Sequence, residues 1–181
     1  MDEIRYDLGG PMAVREIRLE DAEELFALVE ANQPHLAPWM PWAAAPTLGD
    51  TRTFIIGALA QRARDDGFGA VVIDGEAIIG SVGFHRVDRL NRSTSLGYWL
   101  SADRQGAGVM TAAVRALVAH AFDLWELHRV EVDAAPDNLR SRAIPERLGF
   151  TREGVRREAE RFGERYVDLV VYGLLASDPR L

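Results

Sequence analysis

The 181-residue chain contains no cysteine and no lysine. Without cysteine it has no disulfide framework, no thiolate metal site and no cysteine nucleophile. All 21 of its basic residues are arginines, and its 28 acidic residues give a net charge of −7. This negative balance argues against non-specific binding of nucleic acid, which needs a basic surface, and it suits a cationic partner such as an amine. We therefore expect no nucleic-acid partner.

Long hydrophobic runs are also missing from the chain. No apolar run approaches the roughly 18 residues that a membrane-spanning helix needs, and the acidic start at Met1-Asp2-Glu3 does not resemble a secretory signal. We therefore expect a cytoplasmic protein with no membrane partner. The length is typical of one domain with its own core, and no repeat or linker divides the chain. The prediction is a single domain over residues 1–181.

Hydrophobic periodicity divides the chain into strands and helices. Strand patterns lie at Met12–Arg18, Gly67–Ile73, Glu76–Arg86, Ser93–Leu100, Arg129–Ala134, Glu153–Ala159 and Tyr166–Leu175. Helical patterns cover Leu19–Asn32, Thr47–Asp66, Ala107–Phe122 and the segment from Asn138 to near Gly149. Turn residues predict hairpins over Asp74-Gly75 and over Phe162-Gly163-Glu164.

The order of these elements indicates the fold class. A helix lies between strands Ser93–Leu100 and Arg129–Ala134, so this crossover makes the two strands parallel. The segment His35–Trp42, rich in proline and tryptophan, is predicted to be a loop, because proline disfavours both helix and sheet. The sequence therefore predicts an α+β fold with a mixed sheet.

The segment Arg104–Thr111 carries the most informative local motif. Gly106 and Gly108 lie two residues apart, between a predicted strand and a predicted helix. Glycines at such a junction let the main chain pass close to a ligand, and the free N–H groups of the helix start favour an anion. The pattern predicts a phosphate cradle, although a tight turn would use the same two glycines.

Four motifs together resemble the GNAT acetyltransferase superfamily, and within it the branch of the ribosomal-protein-alanine N-acetyltransferases (RimJ/RimL type). They are Gly97-Tyr98-Trp99-Leu100, Gln105-Gly106-Ala107-Gly108, Asn138-x-x-Ser141 and Pro145-Glu146-Arg147-Leu148-Gly149-Phe150. The resemblance covers nearly the whole chain. It implies a mixed, mainly antiparallel sheet flanked by helices, in which the two parallel strands splay apart. It also implies acetyl-CoA as the acyl donor, with no metal.

The resemblance implies a donor site in this splay. Main-chain groups of Tyr98, Trp99 and Leu100 would bind the pantetheine arm, and Asn138 would contact the same arm or cap the helix that follows it. The pyrophosphate would lie on a run of amides with the Thr111 hydroxyl beside them: Arg104, Gln105, Gly106, Ala107, Gly108, Val109 and Met110. Where the family often has Gln or Arg this chain has Asp103, so Arg104 is the candidate for the positive charge.

N-acetyl transfer needs an unprotonated amine and a proton donor for the leaving thiolate. Ser141 matches a candidate acid of this branch. Many relatives carry a glutamate two places before Gly97, where this chain has Ser95. The candidate bases are therefore Glu131, Asp133 and His85, each of which also has a structural interpretation, and a water relay is a further alternative. Asp168 is interpreted as a structural hydrogen-bond acceptor.

The acceptor site is expected at the His35–Trp42 segment. His35, Trp39 and Trp42 would cover an amine, in part by cation–π contact. The same segment has two other interpretations, a hydrophobic plug or, with the terminal hairpin, the contact of a homodimer. The acceptor is a protein N-terminal amine or a small-molecule amine such as a polyamine or an antibiotic. A non-catalytic acyl-CoA-binding module is the alternative from another class, because Ser95 cannot replace the missing glutamate.

Overall fold

The computed structural model describes residues 4–179. Its strands are β1 (Arg5–Gly9), β2 (Met12–Glu16), β3 (Gly69–Asp74), β4 (Ala77–Phe84), β5 (Ser93–Leu100), β6 (Arg129–Ala134), β7 (Thr151–Phe162) and β8 (Arg165–Leu175). Its α-helices are α1 (Ala22–Ala31), α2 (Gln33–Leu36), α3 (Leu48–Ala63), α4 (Val109–Ala119) and α5 (Leu139–Arg147). Short 3-10 helices lie at Leu19–Asp21, Pro41–Ala44 and Ala102–Arg104, and a π-helical turn, His120–Leu124, continues α4.

The eight strands form one sheet in the order β1-β2-β3-β4-β5-β6-β8-β7. Neighbouring strands are antiparallel except for β5 and β6, which are parallel. The predicted α+β class, with a mainly antiparallel sheet and one parallel pair, is confirmed. Within residues 4–179, no helix combines the length and the apolar character that crossing a membrane requires.

The two faces of the sheet are covered differently. On one face, Leu96 of β5 and Val132 of β6 pack against Val114 and other buried residues of α4. On the other face, α1 and α3 cover the half of the sheet that contains β3, through residues such as Ile55. Next to this second core, over β5 and β6, the same face borders an open cleft. The cleft therefore lies where the helical layer ends.

The structure corrects several predicted boundaries. Strand β1 was not predicted; it pairs with β2 at the edge of the sheet. The predicted loop His35–Trp42 is wrong at both ends, because α2 contains its first two residues and a 3-10 helix contains its last two. Proline is tolerated in the first turn of a helix, where the N–H that it lacks would have no partner. Helix α4 begins at Val109 rather than Ala107, since Gly108 is left-handed.

Candidate active site

Strands β5 and β6 separate part-way along their length. They pair over Ser93–Leu96 and Arg129–Val132. Beyond these residues β5 continues to Leu100 along β4, whereas β6 continues to Ala134 along β8. The splay that the resemblance implied is therefore present, and main chain borders the gap.

Alternate residues of β5 direct their main-chain groups into this gap. The Ser95 carbonyl accepts a hydrogen bond of 2.9 Å from the His85 N–H, on the β4 side. Main-chain direction alternates along a strand, so the groups of Trp99 also face β4, in register with that strand. Tyr98 and Leu100 point the opposite way, towards the gap. Two of the three predicted residues thus offer main-chain groups to a ligand, and Trp99 offers its side chain.

The glycine motif, Gln105–Gly108, forms an exposed loop that leads into α4 and is called the glycine loop below. Gly106 and Gly108 have φ angles of +84° and +78°, in the region that favours glycine. A Cβ built at either position meets no atom within 4 Å, and Ala107 between them is exposed. The outer side of the loop is therefore open, and the unpaired N–H groups of the first turn of α4 lie next to it. Such a loop has the shape and donors for a phosphate group.

Residues beside the loop differ in what they offer. Val109 and Met110 bury their side chains in the core, so they contribute only main-chain groups. Thr111 is half-buried in the first turn of α4. Arg104 Nη1 lies 2.7 Å from a carboxylate oxygen of Asp74, and its Nε lies 3.5 Å from one of Asp103. Two carboxylates therefore compensate the charge that the sequence assigned to phosphate binding.

A cleft of about 1180 Å³ lies on the open face of the sheet. It brings together most of the predicted residues outside the glycine loop: Trp39, Trp42, His85, Tyr98, Trp99, Glu131, Asp133, Asn138 and Ser141. His35 is not in its lining. The His35 Nε2 lies 2.7 Å from the side-chain nitrogen of Gln105, so this histidine sits beside the glycine loop.

His85 follows β4 directly and lies opposite Ser95. Its Nδ1 is 2.9 Å from the Ser95 hydroxyl oxygen, and a Cβ built at Gly97 would lie 3.0 Å from its Nε2. The ring therefore lies over Gly97, where the strands begin to separate. Surrounding protein atoms disfavour the charged imidazole and lower the pKa of His85, whereas the nearby Asp133 carboxylate opposes this shift. A neutral imidazole in this position is suited to accept a proton.

The two acidic candidates have different partners. Glu131 accepts a hydrogen bond of 2.7 Å from Arg129 Nε. Asp133 binds Arg156 through Oδ2, while its buried Oδ1 has no hydrogen-bond partner in the described part of the chain. Burial raises the pKa of Asp133, and Arg156 opposes the shift. Buried acceptors are usually paired, so Asp133 Oδ1 is an exception among the described residues.

The sequence analysis missed Glu160, a further acidic residue of the cleft. The predicted strand ended at Ala159, but β7 extends to Phe162. Burial and the neighbouring Asp133 raise the pKa of Glu160, and Arg156 opposes the shift. A strand prediction that continued to the turn at Gly163 would have included this residue.

A bulge in β7 turns Glu160 towards the cleft. Residues 156 and 160 of β7 pair with residues 169 and 167 of β8, so β7 carries two extra residues. Within them Glu158 has a φ of +49°, and its N–H donates a hydrogen bond of 2.8 Å to Asp168 Oδ1. Asp168 is therefore the structural acceptor that was predicted. Bulges of this kind re-aim side chains near active sites.

The start of α5 is held by two hydrogen bonds to Ser141. Asn138 Oδ1 accepts from the Ser141 N–H at 3.2 Å, which confirms the predicted N-cap. The Tyr98 hydroxyl donates to the Ser141 carbonyl at 2.9 Å, and burial raises the pKa of Tyr98, which keeps it a donor. The Ser141 hydroxyl takes part in neither bond, and Ser141 lines the cleft.

Aromatic side chains form one wall of the cleft. The rings of Trp42 and Trp99 are 6.2 Å apart at an interplanar angle of 57°. Trp39 lines the cleft beside them, as does Phe54 of α3, which the sequence analysis missed. Trp42 and Phe54 are half exposed. Apolar surface therefore faces the acidic side of the same cleft.

Comparisons with known proteins agree with this geometry. Residues 12–151 match the acetyltransferase (GNAT) domain family. The chain is 37% identical over 169 residues to the putative ribosomal N-acetyltransferase YdaF of Bacillus subtilis (strain 168), covering 92% of each protein. It is 29% identical over 149 residues to the ribosomal-protein-serine acetyltransferase of Escherichia coli (strain K12), covering 82% of this chain and 83% of the relative.

A solved structure adds a bound donor to the comparison. The Microcin C7 self immunity acetyltransferase MccE, in complex with acetyl-CoA and AMP, has a TM-score of 0.87 and 28% identity, covering 93% of this chain and 94% of that one. The resemblance inferred from the four motifs is thus confirmed, and with it the predicted enzyme class, an acetyl-CoA-dependent acyltransferase. On its sequence match, its splayed strands and its glycine loop, the chain belongs to the GNAT family of acetyltransferases.

Proposed function

We propose that this enzyme transfers the acetyl group of acetyl-CoA to the N-terminal amine of a protein. The observation that carries the proposal is the position of the His85 imidazole over Gly97, at the opening of the splayed strands. The choice of acceptor is supported by two of its relatives, which are named as a putative ribosomal N-acetyltransferase and a ribosomal-protein-serine acetyltransferase. A base beside an open gap also argues against a module that only binds acyl-CoA.

The donor site consists of the gap and the glycine loop. Acetyl-CoA supplies a thioester whose carbonyl carbon an amine can attack. Its pantetheine arm is peptide-like, so the gap-facing main-chain groups of Tyr98 and Leu100 suit it. The open loop at Gly106 and Gly108 and the first amides of α4 suit its pyrophosphate. The side-chain oxygen of Asn138 caps α5, and its side-chain nitrogen is left to donate a hydrogen bond to the pantetheine arm.

His85 is the proposed general base. The Ser95 hydroxyl is hydrogen-bonded to His85 Nδ1. His85 Nε2 is therefore the atom that would take the proton that the amine must lose. The lowered pKa keeps the imidazole neutral near pH 7, and the Asp133 carboxylate stabilises the imidazolium that forms. Ser95 therefore replaces the missing glutamate indirectly, because it orients the base instead of acting as one. Proton transfer through a water molecule to Glu160 is the alternative route.

Ser141 is the proposed donor to the departing sulfur. Its main chain is fixed by Asn138 and by the Tyr98 hydroxyl, so its position relative to β5 is well defined. Its hydroxyl takes part in neither of these bonds and is available to the thiolate. A serine hydroxyl is a weak acid in water, so its contribution here is a hydrogen bond to sulfur.

The acceptor would enter through the rest of the cleft. Glu131 and Asp133 are already paired with Arg129 and Arg156, so Glu160 is the carboxylate of this side that would bind an ammonium group. Trp39 and Trp42 provide apolar and cation–π contact for the residues around the amine. A small-molecule amine is the second candidate acceptor, because the similar MccE structure contains AMP beside acetyl-CoA.

The experiment is a measurement of free-thiol release from acetyl-CoA with a panel of amines. Peptides with free N-termini are compared with the same peptides blocked at the N-terminus, with polyamines and with aminoacyl nucleotides. We expect release with free N-termini only. Release with polyamines or aminoacyl nucleotides alone would replace the proposed acceptor, and no release with any amine despite acetyl-CoA binding would favour the non-catalytic alternative.

A matched pair of variants tests the donor site. Asp and Asn both tolerate the left-handed conformation of Gly106, and they differ mainly in charge. Gly106→Asp should weaken CoA binding by more than about tenfold relative to Gly106→Asn, which is about 1.4 kcal/mol, because the carboxylate repels the pyrophosphate. Equal affinities in calorimetry would remove the pyrophosphate from this loop.

A further inference from the structure

Three arginines, next to the glycine loop or in the first turn of α5, have different environments. Arg104 precedes the loop, and Arg140 and Arg142 lie in the first turn of α5. Arg104 is compensated by the carboxylates of Asp74 and Asp103. Arg142 donates to the Pro136 carbonyl at 2.7 Å and to the Tyr172 hydroxyl at 2.9 Å, which ties α5 to the sheet. Each of these two side chains has a structural explanation.

Arg140 has no comparable explanation. Its Nη1 donates to Gln105 Oε1 at 2.5 Å, so its guanidinium lies against the residue that precedes Gly106. Within residues 4–179, no carboxylate forms an ion pair with it. A positive charge in the first turn of a helix is also unfavourable, because the helix dipole is positive there. Arg140 is therefore placed against the field of its own helix and beside the loop proposed to bind phosphate.

Gln105 fixes the position of this guanidinium. Its amide oxygen accepts from Arg140, and its amide nitrogen lies 2.7 Å from His35 Nε2. The chain of contacts joins α2, the glycine loop and α5, so Arg140 is held beside the loop. A guanidinium can bind two phosphate oxygens at once, and it binds anions more strongly than a neutral donor does.

We propose that Arg140 is the side chain that neutralises the pyrophosphate of acetyl-CoA, with Gln105 as its positioning residue. This inference rests on the proposed donor site. It assigns to α5 the positive charge that the sequence pattern assigned to Arg104, and it gives the start of α5 two roles. Asn138 and Ser141 serve the thioester end of the donor, and Arg140 serves the phosphate end.

The test is calorimetric binding of CoA and of dephospho-CoA, which lacks only the 3′-phosphate, to Arg140→Gln and to the control double variant Arg104→Gln/Asp74→Asn. Arg140→Gln should weaken binding of both ligands by about tenfold or more, that is, by about 1.4 kcal/mol or more. The control removes one positive and one negative charge together, so it should change affinity by less than about threefold. The loss in Arg140→Gln should also shrink as salt concentration rises.

Several outcomes would overturn the inference. Unchanged affinity in a folded Arg140→Gln would do so, as would a loss seen with CoA but not with dephospho-CoA, which would move Arg140 to the 3′-phosphate. A large loss in the control double variant would return the role to Arg104. The proposed function fails separately, if the unaltered protein binds neither ligand. Equal melting temperatures of the variants exclude unfolding as the cause.

Discussion

His85 and His120 lie on opposite faces of the same sheet, and desolvation by surrounding protein lowers the pKa of both, although only His120 is buried from solvent. His85 borders the cleft, with Ser95 on one ring nitrogen and the Asp133 carboxylate nearby. His120 is 8% exposed, and aromatic rings surround it at centroid distances of 4.5 to 6.0 Å. Its Nδ1 is hydrogen-bonded to the Tyr6 hydroxyl, and its buried Nε2 has no conventional partner in the described chain.

The comparison shows that a perturbed pKa does not by itself identify a catalytic residue. Desolvation acts on both rings, but only His85 has an oriented nitrogen next to a space that a substrate can enter. The His120 ring instead lies nearly perpendicular to the rings of Phe68 and Trp125, at centroid distances of 5.1 and 4.5 Å. The neighbours and the access of the ring therefore separate a proposed base from a packing residue.

The largest predicted effect concerns His85, and its absence would contradict the contrast between the two histidines. His85→Gln should lower kcat about a hundredfold, because it removes the proton acceptor while the fold is kept. The acid limb of the kcat/KM profile should lie below the ordinary histidine pKa, since protonation of His85 removes the base and its pKa is lowered. The variant should lose this limb. Thiol-release rates between pH 5 and 8 measure both effects.

Glu160→Gln provides the matched control for that experiment. If His85→Gln retains full turnover and Glu160→Gln loses it, Glu160 is the base and His85 only lines the cleft. Ser95→Ala should show an intermediate loss, because it releases Nδ1 but leaves the imidazole in place.

We expect a smaller effect on turnover when Ser141 is replaced. Ser141→Ala should lower kcat about tenfold, near or below the low end for proton-donor assistance, because water partly replaces the hydroxyl. Affinity for CoA and melting temperature should stay unchanged, since the N–H and the carbonyl that hold α5 belong to the main chain. Stopped-flow rates and thermal melts on one preparation measure these quantities. A variant with full activity would contradict the role of Ser141 as a donor to sulfur.

His120 should have the smallest effect on turnover and a clear effect on acid stability. Its pKa is about 4 in the folded protein and about 6.5 when unfolded, so the unfolded state binds more protons between these values. Folding stability is therefore unaffected above pH 6.5 and falls as pH drops towards 4, by at most about 3 kcal/mol.

The double variant His120→Phe/Tyr6→Phe should remove this contribution and leave kcat unchanged. Replacing both partners avoids a buried hydroxyl without a partner. Melting temperatures at pH 7 and pH 5 measure the effect. A variant whose acid destabilisation equals that of the unaltered protein would show that other groups cause it, and a large loss of kcat would end the contrast between the two histidines.

Local patterns predicted much of the fold and one half of the site. Gly75 and Gly163 both have a φ of +62°, as the predicted hairpin turns require. The glycine loop, the parallel pair and the Asn138 cap also lie where the sequence placed them. These features depend on residues that are close in sequence or on a crossover that fixes strand direction, so the chain reveals them directly. The predicted homodimer stays a prediction.

Other parts of the site depend on contacts between residues far apart in sequence. Arg104 was the obvious cation near Gly106, but Asp74, at the end of β3, compensates its charge, and Arg140 reaches the loop from α5. Glu160 enters the cleft only because Asp168 supports a left-handed residue in β7. The hydrophobic periodicity of the sequence gives no indication of these long-range contacts.

The sequence by itself determined the family, the parallel direction of β5 and β6 and the loop that suits phosphate, because these follow from short motifs, a crossover helix, glycine and hydrophobic pattern. The tertiary structure alone decided which charges remain uncompensated and which histidine meets the cleft. Those properties follow from the distances between side chains on different elements, because the electrostatic interaction between two groups falls with their separation and with exposure to solvent.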